Sequence, residues 1–375
     1  MAAEQYLSVD VLADILQRLP SISRRRARLV CRHWRDVVNK RTTEMQSRAK
    51  PLIWDDGDAY VIGDLSSTGS CRELWKRRVR SGVYRWWDGT GTRPSHLVGV
   101  CNGLLCVCVN EERAGGSLTV SNPATGEALA VPPLPCAGLF VVSHRREEIR
   151  WDAAYSFACH PMTGKYKVVH VPWSKERLFD LETVQVLTLG DTAWREVPAP
   201  AGGARCDIAA GIISIDGTTH WVKVGNATRI VSFDLDTERF APTTTPLPAQ
   251  PDRRNISYHL TEVHGRLGFV MMPDVWVLDQ RRRWSRRYRL EEAIPRPHFV
   301  FGKYVLTTRS GKTEFFAHRP KGTPPKGWRL ECDGVERVGH PDHGTLVAEM
   351  TRGYAQCRTF PYVETTEPLG VYETN

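Results

Sequence analysis

Few residues in this sequence have the types and spacing that catalysis needs. A serine nucleophile on a strand-to-helix elbow requires Gly-x-Ser-x-Gly, and no such run occurs. Gly311-Lys312-Thr313 ends like a phosphate-binding loop. The position that should carry the loop's first glycine is Leu306, so the cradle of backbone N–H groups is missing and a surface turn is expected. His340 and His343 would have to share a metal, but Pro341 between them opposes a helix that puts both on one face. Asp55, Asp56 and Asp58 lack the spacing of a calcium loop. The ten cysteines contain no Cys-x-x-Cys pair. The tightest group, Cys101, Cys106 and Cys108, sits in an apolar stretch, which suits reduced core thiols better than a zinc site or a disulfide framework. No catalytic residue, cofactor or metal is expected.

Charge suggests binding instead. The run Arg281–Arg289 carries six Arg with Trp284 and Tyr288, a composition that suits phosphates and stacked bases, or a nuclear localisation signal. A period of two places Trp284, Arg286, Tyr288 and Leu290 on one face. The favoured reading is therefore a basic edge strand, kept from pairing with other edges by its charges. Binding of an acidic substrate there stays open, and nucleic acid is an unlikely partner. Arg145-Arg146 beside His144 suits phosphate or, as expected, a solvated loop. Asn226 and Asn255 head glycosylation-like triplets, read as chance matches because the first ten residues carry no secretory pattern. The net charge of +9 is uneven: residues 1–50 hold eleven Lys or Arg against five Asp or Glu, which favours an acidic partner for that segment.

These side chains need elements to carry them, and the first is helical. Ser8 is a plausible N-cap, Asp10 suits the first turn, and Val11, Leu12, Ile15, Leu16 and Leu19 share a face at helical spacing. Pro20 stops the helix. Ser23 caps a following segment, in which Ala27, Val30, Cys31, Trp34 and Val37 form a second apolar stripe. Arg24, Arg25, Arg26, Arg28, Arg32 and Arg35 cover the remainder. About 40 residues is too short for an independent core, so this stretch should dock on something.

From about Trp54 the pattern becomes short β runs between turns. They include Leu104–Val109, Tyr166–Val171, Val184–Leu189, Gly211–Ile215, His220–Val224, Ile230–Leu235 and Leu267–Met272. Asn122-Pro123-Ala124-Thr125-Gly126 recurs as His160-Pro161-Met162-Thr163-Gly164, with a related turn at Asp236-Thr237-Glu238. A period near 40 with four short strands per unit predicts propeller blades, with paired β-sandwiches as the alternative. At 375 residues, 41% hydrophobic and 25% charged, the chain has the composition of a soluble protein of about two domains. Its longest apolar run, Leu104–Val109, is far too short to span a bilayer, so no membrane partner and an intracellular location, cytoplasmic, nuclear or both, are expected.

Two resemblances sharpen this. Leu7-Ser8-x-Asp10-x-Leu12-x-x-Ile15-Leu16-x-x-Leu19-Pro20, followed by Ala27-Arg28-x-Val30-Cys31-x-x-Trp34-Arg35, resembles an F-box. That implies a three-helix all-α module, here residues 1–45, which docks on a Skp-type adaptor and through it on a cullin and a RING subunit. The resemblance implies that Leu7, Leu12, Ile15, Leu16, Leu19, Pro20, Ile22, Ala27, Val30, Cys31 and Trp34 form the adaptor-binding set. Arg24-Arg25 stands where the family has an apolar pair. Gly99-Val100-Cys101-Asn102-Gly103-Leu104-Leu105-Cys106, then Ser121–Glu127 and Pro132-Pro133-Leu134-Pro135, resembles a plant F-box-associated domain, and further segments follow in the family's order to Trp284. That implies an all-β, kelch-like β-propeller over residues 46–375, with Asn102 and Gly103 in a tight turn and Leu104 and Leu105 in a central strand. Together they imply the substrate-recognition subunit of a Skp–cullin–F-box ubiquitin ligase, a non-catalytic receptor for an unidentified target protein. The alternatives are a binding protein that sequesters a partner without ligase activity, and a nucleic-acid-binding protein acting through Arg281–Arg289.

Overall fold

In this computed structural model the described residues of the N-terminal segment are 8–18, 27, 30, 31, 33, 34 and 37. Beyond it they are 49–55, 57–76, 95–110, 115–135, 150–161, 163–171, 183–200, 203–223, 228–242, 244–249, 258–309, 314–319, 335–339, 344–350 and 357–373. Leu7, Leu19, Pro20, Ile22, Asp56, the pairs Arg24-Arg25 and Arg145-Arg146, the 311–313 turn, His340, His343, Asn226 and Asn255 lie outside them.

The N-terminal helix is Val9–Arg18. Ser8 caps it: the Val11 amide donates to the Ser8 hydroxyl at 3.4 Å and the Leu12 amide to its carbonyl at 2.9 Å. Leu12, Ala13 and Leu16 face inward and form a small core with Ala27 and Val37, against which Trp34 packs.

Among the described residues from 50 on, the regular structure is β apart from short 3-10 turns at Trp151–Ala154, Ile208–Ala210 and Gly370–Tyr372. The strands form six sheets of four or five strands. In chain order the inner strands are Ser95–Cys101, Tyr155–Cys159, Ile212–Ile215, Tyr258–Val263, Val300–Phe301 and, for the last, Arg358–Tyr362, which the short Arg296–Pro297 joins in parallel on its inner side. Most of the pairing is antiparallel between consecutive strands, the blade pattern of a propeller. The sixth blade closes the ring. Arg358–Tyr362 from the C-terminal end pairs with Lys50–Asp55 from the start of the domain, in register Lys50↔Tyr362 to Trp54↔Arg358. Asp58–Ile62 and Cys71–Trp75 complete that blade outward.

The period of two in each strand is what makes the ring possible. Neighbouring residues point to opposite faces, so one strand feeds two cores. Val168 belongs to the core shared by the first and second blades, and Val169 to that shared by the second and third. Ile212 and Ile213 divide in the same way across the third blade, as do Trp54 and Ile53 in the closing blade. Six such cores fill the six joints between blades. Indole N–H groups stitch neighbouring segments together. Trp54 donates to Ser95 O at 3.1 Å, Trp194 to Pro132 O at 2.9 Å and Trp284 to Pro246 O at 2.9 Å.

Two expectations need correcting. The Asn122 and His160 turns share a mechanism but not a place. In each, the first side chain accepts from an amide two or three residues on, and the glycine amide returns to the first carbonyl. The Asn122 turn joins the third and fourth strands of its blade, whereas the His160 turn joins the first and second of the next. Their separation is therefore not a blade period, and the innermost strands of successive blades start farther apart than those turns do. The second correction concerns Trp284–Leu290. The predicted alternation is present, with Tyr288 and Leu290 buried. The strand is not a free edge, however. Glu336–Val338 adds to it in parallel along Tyr288–Leu290, and Arg286 and Arg287 are ion-paired to Asp274 and Glu336 at 3.5 and 3.0 Å.

Candidate functional site

Two regions are candidates, the helical face at the N-terminus and the axis of the propeller. On the helix, Leu12 and Leu16 are 0% exposed, because they are taken up by the segment's own core with Ala27. Ile15, Val30 and Cys31 are exposed and Trp34 is half-buried. Val9 and Val11, which were not in the expected set, are exposed as well, Val11 at 50%. Leu12, Leu16 and Ala27 are therefore buried in the segment's own core, while Ile15 and Val30 are exposed. Sequence spacing marks the apolar stripe but does not say which flank turns inward. An apolar face this exposed on so small a unit is the physical signature of a docking surface.

At the propeller axis the innermost strands and the loops leading into them line a cavity of about 550 Å³. Its charged lining residues are Arg150, Asp152, Arg296 and Arg358, with His96 and His259. The Asp152 carboxylate is fully buried and chelated by the Arg150 guanidinium through two bonds of 3.0 Å. Asn110 adds a donor at 2.8 Å. Burial alone would raise its pKa; the Arg150 bonds and the positive surroundings of His96, Arg150 and Arg358 instead hold it well below the usual carboxylate range. Burial pushes Arg358 down to about 10, against the pull of Asp152. None of these residues was singled out from the sequence. Apart from the neighbours Arg150 and Asp152, they are far apart along the chain, and the ring of blades brings them together. Among the described residues no group of His, Cys, Asp and Glu has metal-site geometry. The buried thiols of Cys106 and Cys206 are pushed up by desolvation, which keeps them protonated. Among the described residues, no helix is long and apolar enough to cross a membrane.

A second polar cluster joins the second and third blades. Glu238 accepts from Lys167 Nζ at 2.7 Å and from Arg195 at 2.6 Å, and Lys167 also donates to Leu235 O. Each charge has a partner at the joint, so this cluster reads as structural.

Comparison with known proteins agrees with this anatomy. Residues 6–43 match the F-box domain family and residues 89–316 match the F-box associated beta propeller domain family. The chain is 25% identical over 326 residues to the F-box protein At3g07870 of Arabidopsis thaliana, covering 77% of this chain and 74% of that one. It is 26% identical over 303 residues to the putative F-box protein At5g52610 of the same plant, covering 75% and 76%.

Proposed function

Because the chain belongs to the F-box associated β-propeller family of plant F-box proteins, which are substrate adaptors of ubiquitin ligases in general, we propose that it recruits one target protein to a Skp–cullin–RING ligase. The observation that carries this reading is the coupling of an F-box with exposed Val11, Ile15 and Val30 to a closed propeller on one chain. The mechanism is proximity. The exposed helical face docks on the Skp-type adaptor, which tethers the cullin and RING subunits. The propeller holds the target near the charged conjugating enzyme, and isopeptide bond formation gains effective molarity without a catalytic residue in this chain. The functional boundary falls near residue 45, and the site of action is the cytoplasm, the nucleus or both.

The test is reconstitution with a plant Skp-type adaptor, a cullin and a RING subunit. The wild-type chain should itself become ubiquitinated, and Ile15→Asp should abolish this without loss of fold. A folded wild-type chain that stays unmodified in the complete mixture would contradict the proposal. It would favour a second reading, a binding protein without ligase activity, for which Arg24-Arg25 in place of an apolar pair is the specific observation.

A further inference from the structure

The cavity on the propeller axis holds polar groups that the fold leaves without partners. Among the described residues, both ring nitrogens of His259 and the Thr308 hydroxyl have no hydrogen-bond partner, although His259 is 4% exposed and Thr308 2%. Both residues line the cavity. Buried polar groups in folded proteins are almost always bonded, so an orphan that faces a cavity marks a place where a ligand belongs. Arg358 adds a charge. Its guanidinium donates to Leu97 O at 2.7 Å and lies 5.1 Å from the Phe360 ring centroid.

The charge balance gives the sign of the ligand. Asp152 is the one carboxylate lining the cavity among the described residues, and Arg150 already chelates it. Arg150, Arg296 and Arg358 give three guanidinium groups against that single carboxylate. A planar fork of donors fits phosphate or carboxylate oxygens best. His259 and Thr308 both line the cavity and can each donate to an anionic oxygen. The volume of about 550 Å³ is that of a small-molecule site.

We propose that the central cavity of the propeller binds a small free anion bearing phosphate or carboxylate groups. This goes beyond the ligase reading and stands whether or not the N-terminal face binds an adaptor. The test is calorimetric titration of the full chain with inorganic phosphate, pyrophosphate and citrate, with sucrose as a neutral control and a glutamate-rich peptide as a macromolecular one. At least one small anion should bind with one-to-one stoichiometry. His259→Leu and Thr308→Val should each weaken it by about tenfold or more, the effect of losing one good polar contact. Their melting temperatures without anion should not fall, since neither variant breaks a bond within the protein. Arg358→Met should remove binding. Adaptor capture, measured on the same samples, should be unchanged by all three. The proposal is overturned if no small anion binds at millimolar concentration, if all three variants bind like wild type, or if only the peptide binds.

Discussion

Replacing Glu367 with alanine should cost about 3 kcal/mol, because this buried carboxylate clamps the tail that follows the closing strand. Glu367 is 3% exposed. Its two oxygens accept from the hydroxyls of Tyr166 at 2.6 Å and Tyr372 at 2.7 Å. Hydrogen bonds to a charged acceptor contribute roughly 1.5–3 kcal/mol each. Tyr372 is half-buried and its hydroxyl regains water in the variant, so its loss falls at the low end. Tyr166 is fully buried, so its hydroxyl does not regain water in the variant, and Asn102 also donates to it at 3.4 Å. Relief of the carboxylate's own desolvation offsets part of the sum, which leaves about 3 kcal/mol. The bond from the Asn122 side-chain amide to the Glu367 backbone carbonyl, 2.8 Å, is unaffected. Glu367→Gln keeps an acceptor oxygen and should lose about 1–2 kcal/mol. The assay is urea unfolding followed by tryptophan fluorescence. With a slope of about 3 kcal/mol per molar urea, the alanine variant's midpoint should fall by about 1 M. The exposed Glu373→Ala serves as a control and should stay within about 0.5 kcal/mol of wild type. A Glu367→Ala midpoint equal to that of the control would refute the clamp.

Three further outcomes follow from the same geometry. Gly103→Ala should cost about 3 kcal/mol or more by thermal melting, because at φ +82° its Cβ would meet the Val363 carbonyl oxygen and lie 2.7 Å from Thr365 Cγ2; Gly69→Ala, at φ +77° in open space, should cost only about 1. Glu238→Ala should cost about 2 kcal/mol by urea unfolding, since it strands Lys167, whose side chain is 6% exposed. Burial would raise the Glu238 pKa, but Arg195 and Lys167 lower it, so its contribution is full above the ordinary carboxylate range and fades as pH falls through its folded value. Burial lowers His170 to about 4, so the unfolded chain takes up a proton near pH 6.5 that the folded chain refuses. Stability should fall between pH 6.5 and about 4, and His170→Gln should lessen that fall by up to about 3 kcal/mol in pH-dependent urea titrations.

The strands were the legible part of this fold. Leu104–Val109 forms between the residues the sequence marks, and the Asn102-Gly103 turn before it has both residues at positive φ. Local alternation suffices for such elements because each buries against its immediate neighbours. The closing blade was not legible. Arg358–Tyr362 pairs with a strand some three hundred residues earlier, and no local pattern encodes that distance. The same holds for Glu336–Val338, three residues that turn the basic Trp284–Leu290 edge into an interior strand. Repetition misled where one turn chemistry serves two places, since Asn122 and His160 cap like turns on different strand pairs. At the helical face, the stripe was clear but its orientation was not. Only the seating of Ala27 and Val37 decides that Leu12 and Leu16 turn inward while Val11 and Ile15 stay outside. The cavity residues come from three places, Arg150 and Asp152 from the entry to the second blade, His259 from the fourth and Arg358 from the closing blade, and have no shared sequence signal.

The most direct test of the central claim is the dissociation constant of the full chain for a purified plant Skp-type adaptor, beside that of Ile15→Asp. Burying one exposed aliphatic side chain contributes roughly 1.5–3 kcal/mol, so the substitution should weaken binding by about tenfold to a hundredfold or more. The account predicts a saturable one-to-one complex for the wild type and this loss for the variant, with both proteins folded. A folded wild-type chain that forms no complex, or an Ile15→Asp chain that binds equally well, would contradict it.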